Sequence, residues 1–139
     1  MLWLVAGGAR ATDPARLDER GLVAAVGKKV VRRYKLDDGH GLVFRTDEQP
    51  DFKLEFRRAR VNVAWMTYPE AAFQALNAEN VELARKAFTY ALGYVAAEKI
   101  MRAVQAGERL QFDRDGYKVN AMARVGGQTL VTLSYSSIQ

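Results

Sequence analysis

Phe52-Lys53-Leu54-Glu55-Phe56-Arg57-Arg58-Ala59-Arg60-Val61-Asn62-Val63-Ala64-Trp65-Met66 alternates apolar and polar residues, but the alternation changes phase partway along. Phe52, Leu54 and Phe56 hold even positions, whereas Val61, Val63 and Trp65 hold odd ones. Successive side chains of a strand point to opposite faces, so a slip of one residue turns the second half inside out unless an extra residue is absorbed. The pattern therefore predicts a strand with a β-bulge, or a sharp bend, near Arg57-Arg58, which returns all six apolar side chains to one buried face.

Upstream, Val30, Val31 and Tyr34 stand among Lys28, Lys29, Arg32, Arg33 and Lys35 and lead into the turn-forming cluster Asp37-Asp38-Gly39-His40-Gly41. A strand enters the turn and Leu42-Val43-Phe44-Arg45 returns. With those five residues as the loop, Leu36 faces Leu42, Tyr34 faces Phe44, and Arg33 lies opposite Arg45. Earlier still, Thr12-Asp13-Pro14 offers a cap and a first-turn proline for a short helix over 14–26, with Gly27 as its stop. The opening run Met1-Leu2-Trp3-Leu4-Val5-Ala6 lacks a basic flank and is too short to span a membrane, so it is expected to be a buried strand.

Downstream, Thr67-Tyr68-Pro69-Glu70 fits a capping box that opens a helix. Asn77 and Asn80 are expected to interrupt it and start a longer helix that runs to about Ala106, before Gly107. That helix carries two apolar stripes, one through Leu83, Ala87, Tyr90, Tyr94, Ala97, Met101 and Val104, the other through Val81, Ala84, Phe88, Leu92 and Val95. Both need cover, from the sheet and from short helices, a second copy of the chain or another protein. The C-terminal part alternates again: Leu110-Gln111-Phe112, a turn at 113–116, Tyr117 to Val125, and Thr129 to Tyr135. Val119 and Ala121 share a face with Val131 and Leu133 if the loop is Gly126-Gly127-Gln128 and Val125 lies opposite Thr129.

The succession of elements has no alternating βαβ rhythm and points to an α+β fold. We expect an antiparallel sheet of about six strands packed on one long helix, with one or two short helices, as a single domain over residues 1–139. With 49% apolar and 27% charged residues the chain has the balance of a folded globular protein rather than a disordered or membrane-spanning one. The absence of cysteine removes disulfides, thiolate zinc sites and a cysteine nucleophile, and a cytoplasmic location is the simplest expectation.

Catalytic patterns are missing. His40 is the only histidine and sits in a glycine-flanked turn, with no second histidine to complete a common metal-ligand set. Ser134, Ser136 and Ser137 lie near the C-terminus without a nucleophile elbow, and no glycine run has phosphate-loop spacing. The pairs Asp37/Asp38 and Asp113/Asp115 fall in turns, where aspartate bonds to its own backbone. The sequence thus points to a non-enzyme that requires neither cofactor nor metal.

The charge is more informative, since 21 lysines and arginines stand against 16 acidic residues, for a formal net charge of +5. Many of the bases crowd the first half of the sheet, and Arg33, Lys35, Arg45, Lys53, Arg57, Arg58 and Arg60 are the candidate binding residues. The first expectation is a cationic sheet face that contacts nucleic acid through phosphates. The alternative is a small regulator or adaptor that docks on an acidic protein surface, such as a component of the transcription machinery. Against both stands a merely solvated face whose lysines and arginines guard sheet edges from aggregation.

Overall fold

The computed structural model describes residues 16–44, 51–114 and 117–135. The chain runs through helix α1 (Glu19–Val26), strands β1 (Val30–Leu36), β2 (Gly39–Phe44), β3 (Phe52–Arg57) and β4 (Arg60–Met66), and a 3-10 turn at Ala71–Phe73. Helices α2 (Gln74–Leu92) and α3 (Tyr94–Gln105) follow, then β5 (Leu110–Arg114), β6 (Tyr117–Val125) and β7 (Gln128–Tyr135). Among the described residues the strands form one antiparallel sheet of seven in the order β1-β2-β3-β4-β7-β6-β5, so the α+β class holds with slightly more strands than expected. Met1–Ala6, Thr12-Asp13-Pro14 and Arg45 lie outside the described residues.

The phase slip in 52–66 marks a chain reversal, not a bulge. Arg58 and Ala59 make a two-residue turn, with Arg57 opposite Arg60, Phe56 opposite Val61, Leu54 opposite Val63 and Phe52 opposite Trp65. In such a hairpin an even-numbered residue always faces an odd-numbered one, which is the slip seen in the sequence. The six apolar side chains do share the core face: Phe52, Leu54, Val61, Val63 and Trp65 are buried, and Phe56 packs against them partly buried.

Two other turns are tighter than expected. Asp37-Asp38 alone reverses the chain between β1 and β2, putting Leu36 opposite Gly39, Tyr34 opposite Gly41 and Arg33 opposite Leu42. Gly39 and Gly41 are therefore strand residues, and the expected pairing of Arg33 with Arg45 gives way to Arg33 beside Leu42. Between β6 and β7 the turn is Gly126-Gly127, both with positive φ, as a tight hairpin demands. An irregularity between Met122 and Val125 absorbs one residue, so Val119 still faces Leu133 and Ala121 still faces Val131.

The resulting transverse row Leu42, Leu54, Val63, Val131, Ala121 forms the floor of the core. Leu22 and Val26 of α1, Phe88 and Leu92 of α2, and Ile100 and Met101 of α3 close over it. Trp65 meets Phe88 at 6.1 Å between ring centres, and Phe44 meets Phe52 edge-on at 5.8 Å. Each large side chain so buried stabilises the fold by roughly 1.5–3 kcal/mol relative to exposure.

The helices begin and break at other residues than expected. The first is shorter than 14–26: Asp18 caps α1 by accepting from the Gly21 N–H at 2.8 Å, and Gly27 ends it in the left-handed conformation. Thr67 and Glu70 form no side-chain cap at the start of the 3-10 turn. Asn77 and Asn80 do not interrupt the helix but lie within α2 and tie it to the chain leaving β4. The Asn77 amide accepts from the Tyr68 N–H at 2.9 Å and donates to the Tyr68 carbonyl at 2.7 Å, while buried Asn80 donates to the Met66 carbonyl at 3.0 Å.

The break falls instead at Gly93, whose φ of 91° and ψ of 165° no helix can hold. Most of both stripes is buried, yet Tyr94 and Val95, just past the break, are 67% and 80% exposed. Among the described residues no helix is long and apolar enough to cross a membrane.

Gly41 tests the register directly, because a Cβ there would stand 2.1 Å from the Tyr34 ring. Gly41→Ala is expected to destabilise the protein by about 1–3 kcal/mol in urea unfolding, as overpacking does. The cost should shrink in a Tyr34→Ala background, and strictly additive losses would show that the ring does not lie over Gly41.

Candidate functional site

The face turned away from the helices is organised in three transverse rows. Leu36, Gly39, Arg57, Arg60, Ser134, Lys118 and Asp113 make the first. The second holds Tyr34, Gly41, Glu55, Asn62, Thr132, Asn120 and Gln111. Arg32, Val43, Lys53, Ala64 and Leu130 form the third. Cations thus occupy the outer rows, and neutral hydrogen-bonding side chains fill most of the middle one.

A chain of hydrogen bonds stiffens the middle row. With no side chain at Gly41, the Tyr34 ring lies across β2 and its hydroxyl donates to Glu55 Oε2 at 2.7 Å. Asn62 Nδ2 donates to Glu55 Oε1 at 3.2 Å, and Thr132 Oγ1 donates to Asn62 Oδ1 at 3.0 Å. Burial pushes the Glu55 carboxyl up, but the bonds from Tyr34 and Asn62 and the charges of Arg57 and Lys53 outweigh it and hold the group below its ordinary value. Burial and the adjoining Glu55 carboxylate push the Tyr34 hydroxyl well above the usual phenol range.

Arg57 closes one end of this arrangement. Its Nη1 donates to Asp38 Oδ1 at 2.7 Å, and its Nε lies 3.8 Å from Glu55 Oε1. The bond from Arg57 holds the Asp38 carboxyl below its ordinary value. Arg57 thereby clamps the β1–β2 turn to β3, and its charge is largely spent within the protein. Arg32 lies 5.4 Å above the Tyr34 ring, and Lys118 stands 3.8 Å from Asp113.

The candidate residues named from the sequence do not form one surface. Lys53, Arg57 and Arg60 are on the outer face, and Arg58 projects from the adjoining turn, exposed. Arg33 and Lys35 face the helix side instead, opposite Leu42 and His40. Arg33 Nη2 lies 3.1 Å from Glu19 Oε2 and His40 Nε2 2.6 Å from Glu19 Oε1, so both fasten α1 to the sheet edge. Arg45 lies outside the described residues.

Sequence reasoning left Arg32 and Lys118 out of the site. Parity with Tyr34 would have found Arg32, since residues two apart on a strand share a face. His40 also stacks on Phe56 at 5.6 Å, and among the described residues no three histidines, aspartates or glutamates converge as a metal site would require. Comparison with known protein families, characterised proteins and solved structures finds no match to this chain.

The lowered Glu55 carboxyl has a pH signature. A carboxylate held below its ordinary value contributes stability that is complete above that value and is lost as pH falls through the folded one. Glu55→Gln should therefore flatten the fall in urea midpoint below about pH 5. Tyr34→Phe should cost roughly 1–3 kcal/mol at neutral pH and less in acid, as for a hydrogen bond to a charged group. An acid limb unchanged in Glu55→Gln would show that the carboxylate is not held this way.

Proposed function

We propose that this protein is a non-enzymatic binding protein whose outer sheet face contacts nucleic acid mainly through phosphates. The observation that carries this reading is the placement of Arg32, Lys53, Arg60 and Lys118 on the sheet face that, among the described residues, α1, α2 and α3 do not cover, with Arg58 at its rim. Asn120, Gln111 and Ser134 lie among these cations and suit hydrogen bonds to phosphate and sugar oxygens.

Base stacking contributes little. Phe44, Phe52 and Phe56 face the core, and Tyr34 is committed to Glu55, so affinity comes from phosphate neutralisation with weak sequence preference. A cytoplasmic location belongs to the same proposal and is supported by the absence of cysteine from the chain. Docking of an acidic protein on the same face is the rival, and a pull-down repeated after nuclease treatment separates the two.

The decisive variant spares Arg57, which the fold needs, and replaces Arg58, Arg60 and Lys118 together with glutamine. Binding of a fluorescein-labelled single-stranded oligonucleotide, followed by anisotropy over a salt series, should weaken. The slope of log affinity against log salt should become shallower by roughly two to three, near 0.7–0.9 for each lost phosphate contact. Wild-type protein that binds neither DNA nor RNA, or a variant with an unaltered slope, would refute the proposal.

A further inference from the structure

A second surface, on the helix side of the sheet and independent of the nucleic-acid reading, lies where the break at Gly93 meets strand β5. Because the helix stops there, Tyr94 and Val95 stand 67% and 80% exposed, the large apolar residues most at odds with their surroundings among those described. They border an open cleft of about 470 Å³ whose far wall is Phe112. Lone exposed apolar residues are ordinary, but two beside an aromatic wall in a concave site mark a place for a ligand.

The rim is cationic. Lys99 Nζ sits 4.6 Å above the Phe112 ring, and the Arg114 guanidinium reaches Gly93, where a Cβ would stand 3.5 Å from its Nη2. β5 is also terminal in the strand order, so among the described residues no strand pairs with its outer edge. An extended chain laid along an edge gains backbone hydrogen bonds and delivers alternate side chains to one face.

We propose that this cleft takes an extended segment of a partner protein in which every second residue, the set that faces the cleft, includes both apolar and acidic side chains. The apolar side chains pack on Tyr94, Val95 and Phe112, and the carboxylates meet Lys99 and Arg114. A second copy of this chain is the poorer occupant, because two molecules of net charge +5 repel and the rim offers each only further cations.

The test uses the whole protein and an acetylated, amidated peptide of sequence Glu-Thr-Leu-Thr-Phe-Thr-Glu, whose charged and apolar residues share one face when extended, with Lys-Thr-Leu-Thr-Phe-Thr-Lys as its charge-reversed control. In amide correlation spectra the acidic peptide should shift Gly93 to Lys99 and Leu110 to Arg114, and the lysine peptide should not. The variant Val95→Asp with Lys99→Glu changes exposed side chains only, so its unshifted amides should report an intact fold. It should bind the acidic peptide at least about tenfold more weakly, the scale of a hot-spot contact.

No shift with the acidic peptide, or equal shifts with both, would overturn the proposal. Two further results would also overturn it by naming another occupant. One is a concentration-dependent dimer in sedimentation that Val95→Asp abolishes, which assigns the cleft to a second copy. The other is displacement of the peptide by a single-stranded oligonucleotide, which assigns it to a polyanion. Failure of oligonucleotide binding at the outer face, with the peptide shifts intact, leaves this proposal standing and removes only the nucleic-acid reading.

Discussion

The two-residue reversal at Arg58-Ala59 governs which side of the sheet every residue of β4 faces, and β7, β6 and β5 take their register in turn from β4. One residue more in that turn would carry Val61, Val63 and Trp65 to the outer face and Asn62 to the inner one. Each misplaced apolar side chain forfeits roughly 1.5–3 kcal/mol, so the alternative register is not competitive with a marginal total stability. The same tightness recurs at Asp37-Asp38 and Gly126-Gly127, and the three turns together align one apolar row beneath the helices.

With the register set, the two faces acquire different chemistry from the same strands. On the outer face Gly41 matters by having no side chain, since only across that gap can the Tyr34 hydroxyl reach Glu55. A hydrogen bond to a charged group is worth about 1.5–3 kcal/mol, and here it links the edge strand β1 to the sheet centre. Arg57 shows why counting bases misleads: bound to Asp38 and close to Glu55, it is part of the scaffold, whereas Arg58 and Arg60 beside it are exposed.

The helical layer makes a comparable division. Asn77 and Asn80 bind backbone groups at and just past the end of β4 and hold α2 down, so the chain keeps its helical geometry as far as Leu92. At Gly93 it turns, and α3 sets off again with Ala96, Ala97, Ile100 and Met101 in the core. The turn leaves Tyr94 and Val95 outside. The cleft they border and the cationic face lie on opposite sides of the sheet, so occupation of one leaves the other accessible.

From the residues alone the α+β class, the hairpin-rich sheet, the stop at Gly27 and the shared face of Phe52, Leu54, Val61, Val63 and Trp65 were all legible. Each depends on local periodicity or on the conformational freedom of one residue. Whether the slip at Arg57-Arg58 is a bulge or a reversal was not, because both restore the same parity and only the partner strand distinguishes them. For the same reason Arg33 and Arg57, both bases in alternating segments, went to opposite faces once two-residue turns set the register. Local propensity likewise disfavours asparagine within a helix. Only the tertiary structure places the Tyr68 and Met66 backbone groups within reach of Asn77 and Asn80, so the helix runs through them and ends at Gly93.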